Sequence, residues 1–258
     1  MTTKTESPLA RETATDRAAI AERLAHIPTT IACDILKDEP VAERVAAGLV
    51  PMTPASAMAG PVRIIEFLPG RPELRGPGPP GNFAVIDAMH AGEVMVLCAG
   101  GSMAGAVLGD MLATRARERG ARGALVDGAV RDLDGLALAG LPVQARGVAP
   151  MAAHATLIPY ACDRPVRFAG VTVLPDDWVL ADRDGAVFLT RNLVDRLLAQ
   201  HAAAIAKDAF SRQLLLMGFA LTQVFPLPDG LAHLLHAFRA TGQMPLPDSI
   251  RAALSEGH

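Results

Sequence analysis

The pattern of apolar and polar residues changes character twice along the chain. Residues 1–12 are polar and predict a loose end. A short helix is expected over Ala14–Leu24, opening near Thr15 or Asp16. A second is expected after Pro28-Thr29, in the stretch HIPTTIACDIL that contains Asp34. From Val50 to Ala181 short β-like runs alternate with Gly/Pro turns. Val62–Phe67 reads as a strand ended by Pro69-Gly70, and the Pro/Gly-rich residues 70–81 read as an irregular loop. NFAVIDAM predicts a short helix, and GEVMVLCAG a buried strand entering a Gly-Gly turn. GDMLATRARERG predicts a helix stopped by Gly120, with arginines in its last turn. GALVDG and LPVQARG follow as strands, and residues 166–189 as three more joined by Pro-Asp-Asp and Asp-Arg-Asp-Gly turns. From Asn192 the pattern is helical, with Leu193, Leu197, Leu198, His201 and Ile205 at helical spacing and a further helical stretch over Gly230–Ala240. The order strand–helix–strand, then several strands, predicts a mixed α/β sheet with helices rather than a plain doubly wound one. The expected division is a helical segment over 1–48, an α/β core over 49–191 and a helical arm over 192–258 that packs on a neighbouring subunit.

Composition narrows the partners. The chain has 258 residues, half of them hydrophobic, which is ample for a core. Only 4% are aromatic, so Ala, Val, Leu and Met must fill it. A net charge of -3 lacks the basic excess of a nucleic-acid binder. Cys33, Cys98 and Cys162 are widely spaced and odd in number, which predicts reduced thiols in a cytoplasmic protein. The N-terminus lacks an apolar signal core, and the nearest membrane candidate, Leu214–Ala220, is far too short to span.

Candidate chemistry is densest between Gly100 and Leu136. Gly109-Asp110-Met111-Leu112 lies at a helix start, where free amides and the positive end of the dipole can hold a carboxylate or phosphate. Asp110 also reads simply as a helix cap. Arg131 offers a planar fork to a carboxylate and Asp132 a hard oxygen to magnesium or manganese. The pair also reads as an exposed ion pair in a turn. Twenty residues separate Asp110 from Arg131, enough for one helix and one strand to return the chain to the same sheet edge. Asp182, Asp184 and Asp127-Gly128 read as turn residues, and His90, His154, His201, His233 and His236 as surface or packing residues. The histidines form no HxxEH or HExxH order, Ser102 lacks a Gly-x-Ser-x-Gly elbow, and Gly100-Gly101 lacks the GxGxxG order of a dinucleotide loop.

The Asp-x20-Arg-Asp pattern, with GGS upstream and the Gly-Asp-x-Leu turn, resembles the 4-hydroxy-4-methyl-2-oxoglutarate aldolases. That family includes the regulator of ribonuclease E activity A and proteins once described as demethylmenaquinone methyltransferases. The likeness runs from about Thr29 to Leu189 and includes AGPV at 59–62, LPVQARGVAP at 141–150 and residues 165–189. It implies a layered α/β/β sandwich of the swivelling phosphohistidine-domain type, assembled as trimers or hexamers. It implies a metal-dependent aldolase for 4-hydroxy-2-oxo acids that also decarboxylates oxaloacetate through a pyruvate enolate. In the implied site, amides of Gly109 to Leu112 bind the substrate carboxylate and Arg131 binds the 2-oxo acid. Asp132 ligates a divalent cation, Asp110 orients a water acting as base, and Asp34 helps hold water beside the cation. An acid from a neighbouring subunit's C-terminal arm, with Asp208 as candidate, completes it. Two departures stand out: where the family pattern has an acid three residues after the aspartate, this chain has Gly135, and the 70–81 loop is altered. A non-catalytic ribonuclease-binding regulator is the alternative; a methyltransferase lacks its Gly-rich cofactor loop.

Overall fold

The structure is a computed structural model that describes residues 13–71, 73 and 81–256. The expected loose residues 1–12 and most of the expected 70–81 loop lie outside the described residues. The chain divides into two compact units, Met1–Leu197 and Leu198–His258.

In the first unit, α1 (Ala14–Leu24) and α2 (Thr29–Ile35) precede two short strands, β1 (Val45–Ala46) and β2 (Val50–Pro51). The first helix has the expected bounds, with Thr13 as its N-cap and Thr15 and Asp16 in its first turn. Thr13 and Asp16 form a capping box in which each side chain accepts the other's backbone N–H. Three β–α–β steps follow through β3 (Met58–Pro69), α3 (Asn82–Asp87), β4 (Val94–Leu108), α4 (Asp110–Glu118), β5 (Gly123–Val130), α5 (Leu133–Ala139) and β6 (Val143–Val148). An added strand, β7 (Leu157–Cys162), and two hairpins, β8 (Val166–Phe168) with β9 (Val171–Val173) and β10 (Trp178–Asp182) with β11 (Gly185–Leu189), complete the unit. The C-terminal part of this region therefore holds four strands where three are expected from the sequence.

The main sheet has the order β1-β11-β10-β3-β4-β5-β6-β2, with β7 pairing β3 off this path. Its centre, β3-β4-β5-β6, is parallel, and the flanking pairs are antiparallel. The central strands are buried on both faces, which explains their nearly unbroken apolar runs. On β4, Met95, Leu97 and Ala99 face a core shared with α3, α4 and α5. Val94, Val96 and Cys98 face a second core shared with β8, β9 and β11. The outcome is a mixed α/β unit with a central, mostly parallel sheet and helices.

Two expected turns belong to strands instead. β4 does not end at Gly100-Gly101: both glycines take left-handed φ values, +60° and +77°, and the strand continues through bulges to Leu108. Asp127-Gly128 lies inside β5. The Asp127 carboxylate is buried and satisfied, accepting from Arg146 Nε at 2.7 Å and from the Ala169 N–H at 3.0 Å. Asp182 does shape the β10–β11 turn, accepting from the Asp184 N–H at 3.0 Å. Its carboxylate also takes the Thr29 N–H at 2.8 Å and the Thr29 hydroxyl at 2.7 Å, capping α2 where Pro28 offers no side-chain cap.

α6 (Arg191–Leu216) begins in the first unit and runs into the second, which adds α7 (Leu221–Val224), α8 (Ala232–Thr241) and α9 (Pro247–Glu256). The second unit has its own small core around Phe210, Leu214, Leu231 and Ile250, with Phe210 and Phe238 ring centroids 5.4 Å apart. No described helix is long and apolar enough to cross a membrane. The three cysteines are unpaired with one another, and burial pushes the Cys98 thiol far above its ordinary range.

Candidate active site

The geometry of the site follows from the pairing of β4 with β5. Leu108, the last residue of β4, lies in register with Val130, the last residue of β5. The Arg131 N–H continues that ladder, donating to the Leu108 carbonyl at 3.0 Å. Residues leaving two paired parallel strands at the same edge must emerge side by side. Gly109-Asp110 and Arg131-Asp132 are those residues.

Each turn is shaped for close approach. A Cβ on Gly109 would lie 2.8 Å from Asp132 Oδ2 and 3.3 Å from Arg131 Cγ. Glycine here is required by contact, since the Gly109 backbone is extended at φ -136°. Asp132 takes φ +58° and ψ +51°, a left-handed conformation that Asp tolerates better than most side chains. That bend turns β5 into α5, and the Asp132 carbonyl accepts the Leu136 N–H at 2.8 Å.

Arg131 Nε stands 3.3 Å from Asp132 Oδ2, with both side chains about two-fifths exposed. A pair this open contributes little to stability. Using Nε leaves the fork of terminal nitrogens for a bidentate carboxylate. Asp110, first in α4, accepts the Met111 N–H at 2.7 Å, so one of the early helical amides is already taken by its neighbour. The positive end of α4 still faces the opening. On its other side Asp110 packs against α5: a Cβ on Gly135 would meet Asp110 Cβ at 2.6 Å and Oδ2 at 2.8 Å.

These residues line one cleft of about 260 Å³. Gly109, Asp110, Met111, Leu112, Arg131 and Asp132, all singled out by sequence, are brought together in it. Asp34 is not among the lining residues; it is exposed on α2, which packs on β10 and β11. Asp208 is exposed on α6 in the second unit. Further lining residues escaped the sequence reading, among them Phe67 from β3, Asn82 and Phe83 from α3, His154 from a short turn after β6, and Leu157 and Pro159 from β7. No local motif marks them, because only the sheet order places them opposite the two turns. Among the described residues no group of three His, Cys, Asp or Glu side chains could enclose a metal. A larger hollow of about 480 Å³ in the second unit has Arg251 as its charged lining residue among the described residues, held by Asp248 at 2.9 Å.

Comparison with known proteins places the chain in a family. Residues 29–188 match the family model described as "RraA-like: Aldolase/RraA". A Halorhodospira halophila protein, provisionally named 4-hydroxy-4-methyl-2-oxoglutarate aldolase, is 35% identical over 167 residues, covering 64% of this chain and 96% of that protein. An Alkalilimnicola ehrlichii protein of the same provisional name is 40% identical over 116 residues, covering 44% of this chain and 71% of that one. The crystal structure of Streptomyces coelicolor RraAS2, described as an unusual member of the RNase ES inhibitor RraA protein family, superposes with a TM-score of 0.67. It shares 29% identity, over 75% of this chain and 96% of that one. An uncharacterized Pseudomonas syringae protein, 21% identical over 80% of this chain and 96% of that one, shares the fold at a TM-score of 0.68. With its family match spanning both turns of the cleft, the chain belongs to the RraA-like Aldolase/RraA family.

Proposed function

We propose that this protein is a divalent-metal-dependent carbon–carbon lyase that acts next to a 2-oxo acid. Its reactions are aldol cleavage of 4-hydroxy-2-oxo acids and decarboxylation of oxaloacetate, both through a pyruvate enolate. The observation that carries the reading is the meeting of Gly109-Asp110 with Arg131-Asp132 at one cleft. The provisional aldolase names of the relatives support it.

Asp110 and Asp132 are hard oxygen donors at one opening, without the third protein ligand of a closed cage. That donor set fits magnesium or manganese, which keep several waters and share the substrate as a ligand. What such a cation supplies when bound is polarisation of the ketone and carboxylate of the 2-oxo acid. The Arg131 fork binds the substrate carboxylate and offsets the negative charge that grows as the enolate forms. Asp132 would hold the cation, and Asp110 would orient the water that takes the hydroxyl proton. Asp34 lies outside the cleft of its own chain and carries no step in this reading. The chain is read as a trimer or hexamer of swivelling phosphohistidine-type layering, with Asp208 of a neighbouring copy's C-terminal arm as the further acid.

The test is pyruvate release from oxaloacetate and from 4-hydroxy-2-oxo acids, with magnesium and after chelation. Magnesium-dependent release is expected. Silence across the substrates, together with tight binding to a ribonuclease, would select the regulator reading suggested by the likeness to RraAS2.

A further inference from the structure

The reaction proposed above fixes one end of the substrate at Arg131, and the strand order shows what stands across from it. Ala106 of β4 lies in register with Ala129 of β5 on one side and forms a parallel bridge with Ala152 on the other. The segment around Ala152 thus takes the place beside β4 that β3 holds earlier, where residues 62–66 pair with 94–98. Arg131 comes two residues after Ala129, and His154 two residues after Ala152. Their side chains therefore leave backbones on opposite sides of the β4 end, about two strand spacings or roughly 10 Å apart. Both line the cleft.

The turn that carries His154 is held at both ends. The Ala106 N–H donates to the Met151 carbonyl at 2.8 Å, and the Gly70 N–H to the Thr156 carbonyl at 2.7 Å. Within it, the Thr156 N–H closes on the Ala153 carbonyl at 2.8 Å. β4 admits the turn at Gly105, where a Cβ would lie 2.6 Å from Thr156 Oγ1 and 2.9 Å from Ala153 Cα. A histidine that reads locally as a surface residue is in this way fixed at the rim of the cleft and exposed to what enters it.

The charges of the cleft give His154 a partner. The cation proposed above balances the carboxylates of Asp110 and Asp132, and Arg131 meets the substrate carboxylate next to the ketone. A second carboxylate at the far end of the substrate can leave water only where a donor meets it. Imidazole carries one N–H donor in either neutral tautomer and two when protonated. Resting on the enolate reading, we propose that His154 binds the distal carboxylate of a 4-hydroxy-2-oxo diacid, so that the substrate spans the β4 end between Arg131 and His154. The cleft of about 260 Å³ falls below the roughly 300–1,000 Å³ of sites for drug-sized ligands, which suits a short diacid. On cleavage the C4 hydroxyl loses its proton to the base, the C3–C4 bond breaks, and C4 becomes the carbonyl of the fragment that His154 holds. The bonding pair passes to C3 as pyruvate enolate, which takes up a proton. No oxidant or further reactant is needed.

The test is kcat/KM for pyruvate release by the full chain, with magnesium, from 4-hydroxy-2-oxoglutarate and from 4-hydroxy-2-oxohexanoate, in which an ethyl group replaces the distal carboxylate. The ratio of diacid to alkyl substrate is expected to fall about tenfold or more in His154→Ala, the scale of a lost hydrogen bond to a charged group. Binding is read separately by NMR, with the His154 ring signals assigned by their loss in His154→Ala. Saturating 2-oxoglutarate, a diacid without the C4 hydroxyl that cleavage needs, is expected to shift them, and pyruvate to leave them in place. Exchange of pyruvate methyl protons in heavy water by the parent reports the enolate step without any distal group. An unchanged ratio in His154→Ala, or ring signals that 2-oxoglutarate does not move, would overturn this inference, and methyl exchange would leave the enolate reading standing. Absence of both exchange and cleavage in the parent would overturn the two together.

Discussion

Gly109 and Asp132, 23 positions apart in the chain, approach so closely that a methyl group on the glycine would lie 2.8 Å from the aspartate's Oδ2. The glycine backbone is extended, so alanine fits there without backbone strain. The cost falls on the cleft alone. Gly109→Ala is expected to fold normally by circular dichroism and to lose about 100-fold in kcat for pyruvate release, the scale set by displacing a reacting group by an ångström.

The left-handed backbone of Asp132 offers a separation of stability from activity. Asp132→Gly should relieve about 1 kcal/mol of backbone strain and raise Tm by about 2–4 °C, while turnover falls by orders of magnitude. Asp132→Asn, which also tolerates this backbone, should leave Tm in place and still lose the activity. Thermal melts beside turnover check both; an active Asp132→Gly enzyme would contradict the role given to the carboxylate.

The resemblance to the aldolases implies an acid at position 135, yet here Asp110 occupies the space above Gly135. Restoring the acid cannot add a functional group without displacing one. Gly135→Asp is expected to lower kcat by about tenfold or more, and Gly135→Ala to do the same despite alanine's better helix propensity, worth about 1 kcal/mol. A gain of activity in Gly135→Asp would show that the packing of Asp110 is incidental.

Asp177 is buried at 4% exposure between β9 and β10, accepting the Leu174 N–H at 2.8 Å. Burial raises its pKa above the ordinary 3.8, against the Leu174 hydrogen bond and Arg44, which lower it. The folded state thus favours the protonated acid. Its stabilising effect is complete below about pH 3.8 and is lost as pH rises through the folded pKa. Asp177→Asn keeps an acceptor for Leu174 without the charge. Its Tm is expected to equal or exceed that of the parent at neutral pH, with the difference shrinking in acid.

Much of the first unit was legible from local pattern. Ala14–Leu24 forms a helix at the bounds expected, and the runs at Val94, Gly123 and Val143 are buried strands. The two turns of the cleft were legible as well, because a helix and a strand between Asp110 and Arg131 must return the chain to one edge. Other elements were hidden for identifiable reasons. α5 is seven residues long and opens from a left-handed aspartate, too short to show a helical period. β7 contains Pro159, which argues against a strand unless it is an edge, and among the described residues β7 pairs with β3 alone. Asp127-Gly128 has the composition of a turn, and its burial depends on Arg146, 19 residues away. The apolar wall from Phe67, Phe83 and Leu157 exists only once the sheet is assembled.

The central claim, that the two turns act on one bound 2-oxo acid, is tested most directly by a double-mutant cycle. The measurement is kcat/KM for pyruvate release, with magnesium, by Asp110→Asn, Arg131→Lys and the variant carrying both. Residues serving one site should couple, and a coupling of about 1–3 kcal/mol is predicted. Penalties that add to within about 0.5 kcal/mol would mean that Asp110 and Arg131 work independently, which contradicts the account.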